Sequence, residues 1–436
     1  MHSNASGWDT SFVLKQLKDS FSKLKISDNS IDKAAIEAQI TEYFMEKFQS
    51  LITYDWKYDF IDLFCGAGGL SVGFEQEGFR PVVAVDNNEA AVRTYRFNRP
   101  WLTADNVINE DIRHIVGKSV FPHVPLVVGG PPCQGFSIVN MHKKENDERN
   151  ELYKFYVHTV DQVKPVVFLM ENVEGILQII ENIREDFAEI GYVVCNPLLL
   201  NTKEFGFPQS RRRAFIMGIS AEYASIKDDL FGIFTRTIDS FRSSQPFTLW
   251  DAISDLPALS AKTLKNSTNV ENMVWGYTYG PFRQVNTQYA RLVNRGLPSE
   301  LPLLNHRSKY NNDRDIQIYQ TLKPGEKSDA ESIQDINPYK NRSDIFRDKF
   351  DKLSADEPCK TITAHMYYDC NMYIHPTQAR GLTPREAARV QGFPDDYLFL
   401  GSPNEWYRQI GNAVSPLMAR VLAKALKNVL ERIFAK

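Results

Sequence analysis

Residues 59–74 read DFIDLFCGAGGLSVGF. A β-rich run of strand length passes into three glycines, Gly66, Gly68 and Gly69, and then into an apolar stretch compatible with a helix. Glycine allows a tight turn and lets a ligand approach the backbone closely. The free N–H groups of the following helix would face that ligand. A dinucleotide fingerprint needs a third glycine at the sixth place, where this chain has Ser71. Taken alone, the stretch predicts a strand–turn–helix unit, and a merely tight turn stays open beside a ligand cradle.

The same pattern repeats outward. PVVAVD, PLVVGG, PVVFLMEN and AFIMGIS are further short apolar runs, separated by the helix-like segments NEAAVRTYRFN, ELYKFYVHTVDQV and EGILQIIENIREDFAEIG. Strands that are apolar throughout and alternate with helices predict an α/β fold whose mostly parallel sheet is covered on both faces. Ligands in such sheets bind beyond the carboxyl ends of the strands. Chemistry-bearing residues fall there. Asp86 ends one strand, where an acid commonly accepts hydrogen bonds from ribose hydroxyls. Asp111, in NEDIR, suits an adenine amino group. Together they predict an adenosine-containing cofactor. Cys133 lies in GGPPCQGFS, on backbone stiffened by Pro131 and Pro132; a structural thiol and a nucleophile are both open readings. Glu171 and Asn172 close the run PVVFLMEN, and a carboxylate there costs desolvation energy unless it serves a purpose or caps the next helix. In QSRRR, Gln209, Arg211 and Arg213 alternate and share a face if extended; a solvated basic turn is the alternative. In QIGNAVSP, Gly411 and Asn412 predict a turn before a last helix that begins with Ser415 and Pro416.

Length and composition bound the remainder. With 436 residues, the chain can bury a large core. Apolar and charged fractions of 43% and 24% are those of an ordinary globular protein, and a net charge of −3 means that any nucleic-acid surface is local. Five cysteines without a CxxC pair argue for a reducing compartment and against a structural zinc, so no metal is expected. No secretory signal pattern opens the sequence, and no apolar run approaches the roughly 20 residues of a membrane span; a cytoplasmic protein is expected. Residues 1–54 predict a helical extension. Residues from about 221 to 378 lose the alternation and predict a loop-rich second domain.

These segments, in this order, resemble the C5-cytosine DNA methyltransferase family. The resemblance rests on DLFCGAGGLSVGF, VVAVDNN, NEDI, GGPPCQGFS, MENV, QSRRR, RGLTPREAARVQGFPD and QIGNAVSP, over residues 58–220 and 375–436. It implies a Rossmann-like, S-adenosylmethionine-dependent methyltransferase sheet with a smaller, loop-rich target-recognition domain. The implied divisions are an extension (1–54), a catalytic and cofactor domain (55–225), a recognition domain (226–378) and a return segment (379–436). It implies Cys133 as nucleophile, Glu171 at cytosine N3, Arg213 at O2 and Arg211 supporting the thiolate or a phosphate. The implied cofactor contacts are Phe64, Gly66, Ala67, Gly69, Asp86, Asn87, Asp111, Ile112, Pro132, Leu152, Asn412 and Val414. Asp86 departs from the pattern, since many members carry glutamate there. Double-stranded DNA is the implied substrate, flipping of the target base the implied route, and a restriction-modification role with a cognate endonuclease the expected setting for a monomer. The transfer-RNA branch typically carries a Cys-Phe-Thr element, which is absent here. An inactive relative is disfavoured by the intact Cys133, Glu171 and arginines. A small-molecule methyltransferase or dehydrogenase does not suit the large polar second domain.

Overall fold

The structure, a computed structural model, describes Leu14 and residues 33–52, 54–103, 105–132, 152–267, 270–340 and 348–435. Cys133, the polar stretch 140–151 that follows it, and the first amphipathic segment, 11–24 apart from Leu14, lie outside those residues.

Five strands run parallel: β1 (Tyr58–Leu63), β2 (Phe79–Asp86), β3 (Val107–Asn109), β4 (Leu126–Gly129) and β5 (Val167–Asn172). β8 (Arg212–Ser220) adds antiparallel to the β5 edge, and β6 (Tyr192–Val194) and β7 (Leu198–Asn201) pair antiparallel with β8. The sheet order is β3-β2-β1-β4-β5-β8-β6, with β7 also on β8. Consecutive residues of a strand face opposite sides, and here both sides are buried. Phe60, Val128 and Leu169 enter one core cluster, while Ile61, Val127 and Phe168 enter the other. This is why the strands read as unbroken apolar runs.

On the first face lie α2 (Gly69–Glu75), α6 (Lys227–Asp239) and the last helix, α12 (Pro416–Phe434); α3 (Glu89–Phe97) follows β2. On the second lie α4 (Leu152–Val163) and α5 (Ile180–Glu189). The apolar stripe of α12, from Leu417 through Val421, Leu422, Leu426, Val429 and Leu430 to Ile433, is buried throughout. Ser415 occupies the N-cap of α12 but its side chain caps nothing. Gly73 marks where α2 meets α12: a Cβ there would stand 2.4 Å from both Arg420 N and Pro416 O.

The region after α6 is more ordered than its composition suggests. It holds α7 (Leu249–Ile253), a hairpin of β9 (Gly276–Gln284) and β10 (Glu300–Arg307), α8 (Gln288–Val293) and α9 (Asp313–Thr321). The stretches VWGYTYGPFR and NHRSKYNNDR mix aromatic and basic residues, as a DNA surface would. Instead Tyr277, Tyr279, His306 and Arg307 are buried: Tyr279 packs against the helix at residues 33–52, His306 bonds Pro257 and Thr383, and Arg307 pairs with Glu271. A buried ionic network ties this region to the return segment: Arg389, on α10 (Pro384–Gln391), pairs with Asp395 at 2.5 Å and Asp255 at 2.9 Å, and Arg283 pairs with Asp395 at 2.6 Å. Helix α1 (Lys33–Ile52) lays Ile36, Ile40, Phe44 and Phe48 against Phe97, Tyr279, Leu304 and Leu398, so it contacts both the first sheet's helices and the hairpin.

Candidate active site

Because β1 to β5 are parallel and in register, their carboxyl ends form one edge. Leu63 pairs with Val85 and Gly129, Gly129 with Met170, and Asp86 with Asn109. Phe64, Asp86, Asp111, Gly130 and Glu171 therefore follow in a row. The turn after β1 is sharply bent: Phe64 (φ 57°), Gly66 (φ 53°) and Gly68 (φ 85°) all take left-handed backbone. Asp86 holds it, its Oδ2 accepting Gly66 N–H at 2.8 Å and its Oδ1 accepting Asn88 N–H at 2.8 Å. Burial pushes the Asp86 carboxyl up, and these two donors pull it back. Asn87 is exposed, Ala67 is buried, and Leu152 starts α4. Asp111 caps the short turn at Ile112 through Arg113 N–H at 3.0 Å and pairs with the Arg113 side chain at 2.7 Å. That pair lowers its pKa.

The return segment completes this edge. A Cβ on Gly69 would lie 2.3 Å from Val414 O, so residues 413–414 press directly on the glycine turn. Gly411 and Asn412 are not the expected turn; they end α11 (Pro403–Asn412). Gly411 is needed there for closeness, since a Cβ would meet Ala364 N and Thr363 C at 2.2 Å. Asn412 is exposed beyond it.

Further along the edge, Glu171 leaves β5 and pairs with Arg213 on β8, Oε1 to Nε, at 3.1 Å. The side chains are 13% and 21% exposed, so the pair is shielded yet reachable. Glu171 therefore caps no helix; Val173 stands at that N-cap. A Cβ on Gly130 would come within 2.8 Å of Glu171 Oε2, which puts the carboxylate against the strand that leads to Pro131, Pro132 and Cys133. Asn172 Nδ2 donates to Pro131 O at 2.8 Å. Pro132 is exposed. Sequence reasoning offered Asn172 only as a helix cap, and no spacing rule marks it otherwise.

Arg211 is placed differently from Arg213. It is 3% exposed, and its guanidinium donates to the carbonyls of Ile362 (2.8 Å), Ala413 (3.0 Å) and Gly411 (3.2 Å). Burial, with Arg213 beside it, lowers its pKa, though an arginine keeps its charge. Arg211 was expected to support a thiolate or a phosphate; the partners seen here are three carbonyls that lock α11 and the 362 segment to β8. Gln209 is also buried. Its Nε2 donates to Gln391 Oε1 at 2.7 Å and its Oε1 accepts Ile362 N–H at 2.7 Å. Gln391 belongs to the same lock and was not foreseen.

The sequence profile described as "C-5 cytosine-specific DNA methylase" matches residues 58–428. The chain belongs to that family. The methylase is 31% identical to the type II methyltransferase M.AgeI of Thalassovita gelatinovora, over 84% of its own length and 98% of the relative's. It is also 31% identical to the type II methyltransferase M.DdeI of Desulfomicrobium norvegicum, over 86% and 89%. Among solved structures it resembles an Escherichia coli prophage protein described as a presumed DNA modification methyltransferase. The TM-score is 0.63 and the identity 26%, covering 86% of the methylase and all of that chain.

Family membership implies a cofactor of the S-adenosylmethionine type, and the β1–β3 edge suits one. Around Gly66, with its left-handed backbone, a Cβ would find no atom of the described residues within 4 Å, so a ligand can approach the backbone of the turn. Asp86 retains acceptor capacity for ribose hydroxyls after its two backbone bonds, and Asp111 stands on the neighbouring strand's exit. No group of three or more metal-ligating side chains occurs among the described residues. No described helix is long and apolar enough to cross a membrane.

Proposed function

We propose that this methylase flips a cytosine out of duplex DNA at a specific site and methylates C5 through a covalent bond between Cys133 and C6. The observation that carries this reading is the Glu171–Arg213 pair, set beside the Pro131 carbonyl that Asn172 holds. It supports an acid and a fixed cation beside Gly130 and Pro131, which precede Cys133 in the sequence. Phe64, Gly66, Ala67, Gly69, Asp86, Asn87, Asp111, Ile112, Pro132, Leu152, Asn412 and Val414 would hold S-adenosylmethionine along the carboxyl edge of the sheet, and the cofactor would supply an electrophilic methyl group.

Cytosine C5 is a poor nucleophile until C6 is attacked. Cys133, as thiolate, forms the S–C6 bond. The C5–C6 π electrons are then available at C5, while Glu171 hydrogen-bonds or protonates N3 and Arg213 binds O2. C5 takes the methyl group, and loss of its proton re-forms the double bond and expels Cys133. The buried Arg211 fixes the segment from which Arg213 reaches. Extrusion of the base costs a few kcal/mol, because the target atom cannot be reached inside the stack. We assign residues 55–225 and 379–436 to catalysis and cofactor binding and 226–378 to target recognition. The type II relatives make a restriction-modification role in the cytoplasm the natural setting, with a cognate endonuclease as functional partner and a monomer as acting form.

Duplex DNA carrying 5-fluorocytosine at the target position tests the chemistry, since fluorine does not leave as a proton does. The protein should form a denaturation-resistant adduct, and Cys133→Ser should abolish it while cofactor binding persists. An adduct in that variant would remove Cys133 from its role. Bisulfite sequencing of DNA from expressing cells would supply the site.

A further inference from the structure

The turn at residues 64–69 does little to hold its own shape. Gly68 N–H donates to Cys65 O at 2.8 Å, Cys65 N–H to Val85 O at 3.0 Å, and Phe64 bears left-handed backbone without being glycine. Such strain persists only when surrounding groups impose it. Two buried side chains do so from behind. The Tyr397 hydroxyl donates to Ala67 O, and Arg99 Nη2 donates to Gly68 O at 3.2 Å. Arg99 Nη1 also donates to the Tyr397 hydroxyl at 2.9 Å, and Nε and Nη2 each reach Glu75 at 2.8 Å. The guanidinium lies 4.1 Å from the centre of the Tyr95 ring. Arg99 is 1% exposed and Tyr397 3%. Space at Gly68 is filled by this group, since a Cβ would stand 2.6 Å from Arg99 Nη1.

We propose that Arg99 and Tyr397 are positioning residues for the cofactor: they latch the glycine turn in its binding shape and act on cofactor affinity, not on the chemical step or on DNA. This rests on the reading that the turn holds the cofactor. With Gly66 N–H fixed by Asp86 and the next two carbonyls fixed by Tyr397 and Arg99, the backbone of the turn is tethered on both sides. Asp396, beside Tyr397, accepts from Tyr43 at 3.0 Å and Lys47 at 2.5 Å. Helix α1, which precedes the family match at residue 58, thus braces the latch.

The test is calorimetric titration of the full chain with S-adenosylhomocysteine, alongside duplex-DNA affinity, kcat at saturating cofactor, and KM for S-adenosylmethionine. Tyr397→Phe removes one hydroxyl that donates to Ala67 O and accepts from Arg99. One hydrogen bond's worth of stabilisation predicts cofactor affinity weakened about three- to tenfold, with KM raised alike and kcat and DNA affinity unchanged. Arg99→Lys keeps the charge but loses the fork and should fall between wild type and Arg99→Met. Asp86→Ala separates the two levels of the argument. If it weakens cofactor binding while Tyr397→Phe and Arg99→Lys do not, the latch is wrong and the site stands. If it too leaves binding unchanged, the cofactor lies elsewhere and the latch falls with the site. Equal losses of cofactor and DNA affinity in Tyr397→Phe would mark a general structural role and overturn the proposal.

Discussion

Asn172 Nδ2 donates to the carbonyl of Pro131 across 2.8 Å, linking the end of β5 to the segment two residues before Cys133 in the sequence. Its Oδ1 accepts Val173 N–H at 2.8 Å, so one amide bonds both the exit of β5 and Pro131. Asn172→Ala would remove this hold on the Pro131 carbonyl. Displacement of a reacting group by about 1 Å can cost roughly 100-fold in rate. We expect single-turnover methyl transfer to slow by about 10- to 100-fold with cofactor affinity intact; an unchanged rate would remove Asn172 from the machinery.

Glu171 and Arg213 should behave as a coupled unit, since they touch each other. Glu171→Gln is expected to lower kcat by about 100- to 10,000-fold, the range for a lost general acid or base. Arg213→Ala is expected to lower it by about 100- to 1,000-fold, as for a lost oxyanion donor. The double variant should lose far less than the product of the two. Full additivity in the kinetic cycle would mean that the groups act independently.

Gly73→Ala should destabilise the fold without touching the site. The new methyl would press on Arg420 N and Pro416 O at 2.4 Å, and backbone cannot rotate away. Overpacking of this kind costs about 1–3 kcal/mol, visible as a melting temperature lowered by several degrees. A melting curve that matches wild type would show that α2 and α12 can part at that point.

His306 gives a pH signature. Its Nε2 donates to Pro257 O at 2.8 Å, so its Nδ1 accepts from the Thr383 hydroxyl at 3.0 Å. Burial pulls its pKa from 6.5 down to about 4, with Arg380 and Arg283 adding to the fall and Glu386 and the Pro257 carbonyl opposing it. As pH drops from 6.5 towards 4, the unfolded chain gains the proton first. The stability is present above pH 6.5 and is lost through that window, at about 1.4 kcal/mol for each tenfold difference in proton affinity between the folded and unfolded chain. Asp62, pushed up to about 7 by burial, works in the opposite sense over much of the same range. The diagnostic is therefore the difference between wild type and His306→Asn in urea unfolding at pH 7, 5.5 and 4.5. Parallel slopes would refute the neutral histidine.

The parallel half of the sheet was legible because burial on both faces leaves each strand a continuous apolar run, as in PVVAVD and PLVVGG. The edge residues were legible because polar groups directly after such runs stand out. What the sequence hid was long-range. AFIMGIS reads like its neighbours, yet β8 runs antiparallel to β5, and nothing in an apolar run encodes direction. The polar composition of 226–378 concealed the β9–β10 hairpin, whose His306 and Arg307 are buried against Pro257 and Glu271. Arg99, Gln391 and Tyr397 could not be singled out, because their importance lies in partners up to several hundred residues away.

The packing of α12 against α2 bears on how such a chain is made. Residues 416–434 cover a sheet whose first strand was synthesised more than 350 residues earlier. Until they emerge from the ribosome, the face around Phe60, Leu70 and Phe74 has no partner from α12 to close it. Contacts that span so much sequence are slow to form and leave apolar surface open meanwhile. A cell making this protein would need to shield the unfinished sheet while the rest is translated.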